Sequence, residues 1–270
     1  MSHRTLINLI NMKYFLVFLF VVFQAHAQTG KIVYSSILNF GGSANITENH
    51  LYFTNHSSFY HSPATDRKTE RNNQTKTNSE NSKVVAFNIT SGSDSVGNVY
   101  YHNLSEDNLV CRESIYENGK VNYFIYEDNA PIDWRLEDEF KNISGFKCQK
   151  ATTKFRGRNY EAWFTIEIPL SFGPWKFHGL PGLILEVYDQ TGQVYFTAES
   201  IKIPYVEAAN YVKKPTGDSI ITNKDFQEKK YQSFEKNSQA MLARSPVGSK
   251  IVSSEVKING IEIEYEWEKE

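Results

Sequence analysis

Most apolar runs in this chain are joined by links too short for anything but hairpins, and that limits what the chain can fold into. Strand-like runs rich in β-branched and aromatic residues fall at 84–89, 98–103, 109–116, 121–126, 145–155, 160–168, 183–188 and 194–203. Glu117-Asn118-Gly119-Lys120 and Asp189-Gln190-Thr191-Gly192 have the chemistry of tight turns. A parallel pair would need a crossover of about a dozen residues or more. The expectation is a mainly β chain, a single antiparallel sheet that is twisted or half-barrel in form. Residues 32–38 and 51–53 form an opening hairpin around Gly41-Gly42-Ser43, and 134–143 is of mixed character, strand or connection. The stretch 62–83 is polar and reads as a mobile loop, because it cannot bury enough apolar surface to offset its ordering entropy.

One helix is predicted, over 223–243. Thr222 or Asn223 caps it, Asp225 and Glu228 suit its positive end, and Phe226, Tyr231, Phe234, Met241 and Leu242 give a loose apolar stripe. Asn259-Gly260 then predicts a terminal hairpin over 256–263 with a type I′ turn. Residues 12–27 have the form of a signal peptide: Lys13, an apolar run over 14–23, and Ala25-His26-Ala27 before Gln28. The apolar run is too short for a membrane anchor, and no cysteine follows the cleavage point to take a lipid. An exported protein, periplasmic or associated with an outer membrane, is therefore expected, with 28–270 as one domain. The true start is Met1 or Met12. A formal net charge of −2, with basic residues scattered among acids, leaves no footprint for nucleic acid or for an anionic membrane.

Two cysteines, Cys111 and Cys148, follow the leader. Their even number and an oxidising compartment predict a disulfide, and two buried thiols acting as small hydrophobes are the alternative. Sequence offers no Gly-x-Ser-x-Gly elbow, His-Glu-x-x-His, phosphate loop or dinucleotide fingerprint. Glu137, Asp138 and Glu139 are paired acids of the kind a glycosidase uses, but so compact a run more simply forms a solvated face. His50, His56, His61, His102 and His178 could converge from several strands on zinc or copper, although their spacing matches no recognised ligand signature. No cofactor and no tight metal site are expected.

The compositionally oddest stretch is Phe172-Gly173-Pro174-Trp175-Lys176-Phe177-His178-Gly179-Leu180-Pro181-Gly182-Leu183-Ile184. Leu180-Pro181-Gly182-Leu183 suits a type II turn, with proline presetting φ at the second position and Gly182 taking positive φ at the third. Trp175, Phe177, Leu183 and Ile184 are too apolar to lie in water, whereas Lys176, His178 and the turn backbone are expected to stay reachable at a sheet edge. The segment Gly173, Pro174, Trp175, Lys176, His178, Gly179, Leu180, Pro181 and Gly182 is thus the candidate binding loop.

That string resembles the signature of the GLPGLI family of exported bacterial proteins. The resemblance continues through Trp134, Ile143, Cys148-Gln149-Lys150-Ala151, Gly157-Arg158-Asn159-Tyr160-Glu161-Ala162-Trp163-Phe164 and Ile168-Pro169. It implies no established activity. It does imply an accessory role beside TonB-dependent outer-membrane receptors, since family members are often encoded next to them; the hairpin-length links and single helix, for their part, suggest a sheet with the helix against one side, resembling lipoprotein carriers. The first reading of function is a non-enzymatic accessory or binding protein of the envelope, the second a periplasmic metal-handling protein using histidines, and the third an enzyme of unfamiliar type.

Overall fold

A computed structural model of the chain describes residues 29–40, 44–62, 94–243 and 260–268. The expected signal peptide, the strand at 84–89 and nearly all of the polar loop at 62–83 lie outside the described residues. The strands are β1 (Gly30–Leu38), β2 (Asn45–Phe53), β3 (Ser57–His61), β4 (Val99–Asn103), β5 (Asn108–Glu117), β6 (Lys120–Glu127), β7 (Arg135–Ile143), β8 (Phe146–Phe155), β9 (Arg158–Thr165), β10 (Leu183–Asp189), β11 (Val194–Lys202) and the two-residue β12 (Ser219–Ile220). They form one open sheet in the order β12-β6-β5-β4-β3-β2-β1-β11-β10-β9-β8-β7. Every neighbouring pair is antiparallel except β12 with β6. The mainly β, mostly antiparallel sheet inferred from short links is therefore what forms, and residues 135–143 take the strand option.

Alternation positions the core. In β1 buried and half-buried residues alternate, so Ile32 and Tyr34 share one face. Strand β10 is buried almost throughout, with Leu183, Ile184 and Leu185 all inaccessible, because the sheet carries cover on both sides there. The chain from Ile168 to Leu180 packs into the same core. Its Trp175 ring meets Tyr100 of β4 at 6.2 Å and Phe155 of β8 at 6.4 Å, and Phe172 meets Phe53 of β2 at 6.4 Å. Strands β4 and β8 lie far apart in the sheet order, so the sheet must curl around this segment for one indole to touch both.

Helix α1 (Ala208–Tyr211) is a single turn, and α2 (Asn223–Leu242) is the helix expected at 223–243. Thr222 Oγ1 accepts the Asp225 N–H at 3.0 Å, as an N-cap should. Of the apolar stripe, Phe226 is fully buried and stacks on Tyr126 at 4.7 Å, whereas Tyr231 and Phe234 are exposed. Polar contacts complete the seat: Ser233 Oγ and Asn237 Nδ2 donate to the Tyr116 carbonyl at 2.6 and 3.0 Å. The first strand of the expected terminal hairpin lies outside the described residues. Its second does not form, because residues 260–265 run as an irregular tail, with Ile261 and Ile263 tied to Tyr160 and Arg156.

The expected disulfide is overturned. Cys111 and Cys148 are both free and fully buried. Cys111 sits on β5 among Leu109, Ile115, Tyr126 and Phe226, while Cys148 belongs to the main core on β8. Even number and compartment say nothing about distance, and a bridge requires Cα atoms within about 7 Å. Burial pushes the Cys111 thiol well up and the Cys148 thiol to about 11, so both behave as small hydrophobes.

The type II turn at Leu180–Leu183 is also corrected. Positive φ falls at Gly179 (+95°) and at Trp175 (+55°), and Gly182 has no positive φ. Gly182 is needed for space instead: a Cβ there would land on the Thr165 carbonyl oxygen and lie 3.1 Å from the Ile166 Cα. Replacing it with alanine should destabilise the fold by more than about 2 kcal/mol, because the backbone at Thr165 and Ile166 must shift. Gly192→Ala, at a positive φ of 70° with open space around it, should cost only about 1 kcal/mol. Chemical denaturation of the two variants checks the order.

Candidate functional site

Burial divides the motif segment sharply. Residues 172–177, Leu180 and Gly182 are buried, His178 is half-buried, and only Gly179 and Pro181 are exposed. Lys176, expected to be reachable, is 1 % exposed. Its neighbour Trp175 adopts the left-handed region, which a bulky residue takes only when surrounding packing compels it. A backbone bond from Phe177 N–H to the Pro174 carbonyl closes the reversal that carries both side chains inward.

Lys176 ends in a network of buried charge. Its Nζ donates to Asp128 Oδ2 at 2.7 Å and to both Glu262 oxygens at 3.0 Å. Arg156, in the turn between β8 and β9, donates to Asp128 at 2.6 Å, to Glu262 at 2.9 Å and to Glu266 at 2.8 Å. Burial works against the ammonium, but the Glu262 and Asp128 carboxylates outweigh it and hold Lys176 well above the ordinary lysine value. Burial likewise works against the Asp128 carboxylate, yet Lys176 and Arg156 keep it below its ordinary value. At Glu262 burial prevails and lifts the carboxyl. Glu113 extends the network: the hydroxyls of Tyr126 and Tyr100 donate to its Oε1 at 2.8 and 3.0 Å.

The same segment also borders a recess of about 10 Å³, room for about one water molecule, lined by Ser58, His102, Trp175, Lys176, Phe177 and His178 among others. The His102 and His178 ring centroids are 4.3 Å apart. His178 Nδ1 lies 2.8 Å from the Lys176 carbonyl, which can only accept, so Nδ1 carries the proton and Nε2 presents a lone pair. Both nitrogens of His102 are buried without a hydrogen-bond partner, and the residue is 4 % exposed. Desolvation, helped by His178, lowers the His102 pKa to about 3. The Trp134 indole N–H donates to the His178 carbonyl at 2.8 Å and pins the exposed turn from outside.

The structure brings His102 and His178 together and leaves the other histidines elsewhere. His50 and His61 are cross-strand partners on the opposite sheet face, with His50 Nε2 bonded to Glu48 at 2.8 Å. His56 is exposed at the β2–β3 turn. Among the described residues no group of three or more His, Cys, Asp or Glu side chains is placed to hold a metal ion. Glu137, Asp138 and Glu139 fall in an irregularity of β7, where Glu137 pairs with Arg135 and Glu139 with Lys150. Asp128, Arg156, Glu113 and Glu262 were not singled out from sequence, since nothing local distinguishes a buried acid in a link or tail from a solvated one.

Two outcomes follow from these charges. Lys176→Met leaves two buried carboxylates short of a counterion, and should cost about 3–5 kcal/mol in chemical denaturation. His61, between His50, Tyr52 and Phe59 and near Lys31, has its pKa lowered from 6.5 to about 4, mainly by desolvation and then by the His50 and Lys31 charges. Between those values the unfolded chain binds a proton that the folded chain refuses. Stability should therefore fall as pH drops below 6.5, by up to about 2 kcal/mol from this group at pH 5. His61→Phe should show a smaller loss of melting temperature between pH 7 and pH 5 than the parent.

Residues 155–186, from the β8–β9 turn through the motif into β10, match a family model described as "Protein of unknown function (Porph_ging)", the family of the GLPGLI string. No curated protein matches the chain. Two solved structures of PNGF-II, in different space groups, resemble the fold with TM-scores of 0.53 and 0.52 at 16 % identity. They cover 77 % of this chain but only 34 % and 33 % of their own, so the chain spans about a third of their length. Among the described residues no helix is long and apolar enough to cross a membrane.

Proposed function

We propose that the chain is an exported accessory protein of the bacterial envelope that binds a protein partner through the outer rim of the motif segment. The observation that carries this reading is the contrast within the segment: Gly179 and Pro181 stand exposed, with half-buried His178 beside them, while their neighbours are buried. A rim held by Trp134 from outside and by core aromatics beneath loses little conformational freedom on binding, which favours affinity. A TonB-dependent outer-membrane receptor is the partner class that the family resemblance implies. The likeness to PNGF-II concerns the fold and adds nothing about activity.

The test is recovery of partners from the native envelope by mild cross-linking, using the parent, Pro181→Lys and His178→Gln. The expected result is that Pro181→Lys loses about tenfold of the recovered partner with a melting temperature within about 2 °C of the parent. Recovery unchanged in both folded variants would reduce the segment to scaffold.

A further inference from the structure

The recess beside the motif holds two features that packing alone does not explain. His102 is buried with both ring nitrogens unpartnered, and a buried polar group left so is costly enough to require a reason. His178 is oriented in the manner of a metal ligand: its Nδ1–H is fixed by the Lys176 carbonyl at 2.8 Å and its Nε2 lone pair is left for another partner. Tyr100, Trp175 and Phe177 line it together with Ser58, Leu109, Gly173 and Lys176, and the space suits a single ion or water rather than an organic molecule.

We propose that His102 and His178 bind one divalent transition ion, copper(II) first, as a pair of adjacent imidazole ligands. With a metal–nitrogen bond of about 2.1 Å, each ring centroid lies about 3.2 Å from the ion, so two rings at a right angle have centroids about 4.5 Å apart. The observed 4.3 Å fits that arrangement and falls short of the wider tetrahedral spacing. Right-angled nitrogen ligands completed by oxygen donors suit tetragonal copper(II), which also heads the affinity order for divalent ions. Ser58, on the wall, is an oxygen donor at hand. The inference stands apart from the partner reading, because its test needs only the purified chain.

Copper(II) is added to the purified full chain, excess is removed by desalting, and retained metal is measured by emission spectroscopy with electron paramagnetic resonance alongside. The expected result is one retained equivalent, a tetragonal signal with coupling to two nitrogens, and at least tenfold weaker binding in both His102→Gln and His178→Gln. Pro181→Lys should bind copper as the parent does, even where it loses the protein partner. His50→Gln/His61→Gln serves as the control for the other face. Retention lost in that double variant but intact in His102→Gln, or no retained equivalent in the parent, would overturn the proposal. Melting temperatures without metal show which variants are folded, and His102→Asn and His178→Asn replace any that are not.

Discussion

The architecture depends on one buried ammonium. Lys176 is completely enclosed, and its charge is tolerable only because Asp128 and Glu262 arrive from two distant parts of the chain to meet it. Asp128 follows β6, Glu262 lies in the C-terminal tail, and Arg156 in the β8–β9 turn binds both carboxylates from the other side. A network of this kind adds little net stability relative to an apolar core of the same shape, yet each member is costly to remove once the others are in place. It acts as a clasp that fixes where the motif, the tail and the two halves of the sheet sit relative to one another.

The motif segment gives that clasp its setting. Trp175 and Phe177 fill the space between Tyr100, Phe155, Tyr160 and Phe196, so that strands remote in sheet order converge on one aromatic cluster. The backbone cost of a left-handed Trp175 is met by this packing, together with the ion pairs that its neighbour makes. Beyond the reversal that buries Lys176, His178 turns toward the recess and Gly179 and Pro181 stand outward. Scaffold and surface are therefore interleaved residues of one loop, and a substitution in it acts on stability or on recognition according to whether the residue is buried, as Leu180 and Gly182 are, or exposed, as Gly179 and Pro181 are.

The histidines separate into two chemistries by environment. On one sheet face His50 and His61 pack with tyrosines and Phe59 in a cross-strand cluster, with Glu48 closing the ring of contacts at His50. On the other, His102 and His178 meet in a recess with lone pairs to spare. Desolvation lowers the pKa of His61 in one set and of His102 in the other, which ties the stability of the fold to pH.

Sequence by itself determined the parts governed by near neighbours. Strand alternation and short turns specified a mostly antiparallel sheet, and the Thr222 cap with Asp225 marked the start of α2, because these signals act over a few residues. The apolar character of Trp175, Phe177, Leu183 and Ile184 likewise indicated that the motif turns inward. Tertiary structure alone decided the pairings between distant residues. It kept Cys111 and Cys148 in different parts of the core, and it made Gly182 a matter of contact with Thr165 rather than of φ. It buried Lys176 against Asp128 and Glu262, and it chose His102 as the partner of His178. The physical reason is common to all four: a side chain's partner across the fold depends on how the sheet curls, and no local pattern of residues records that curvature.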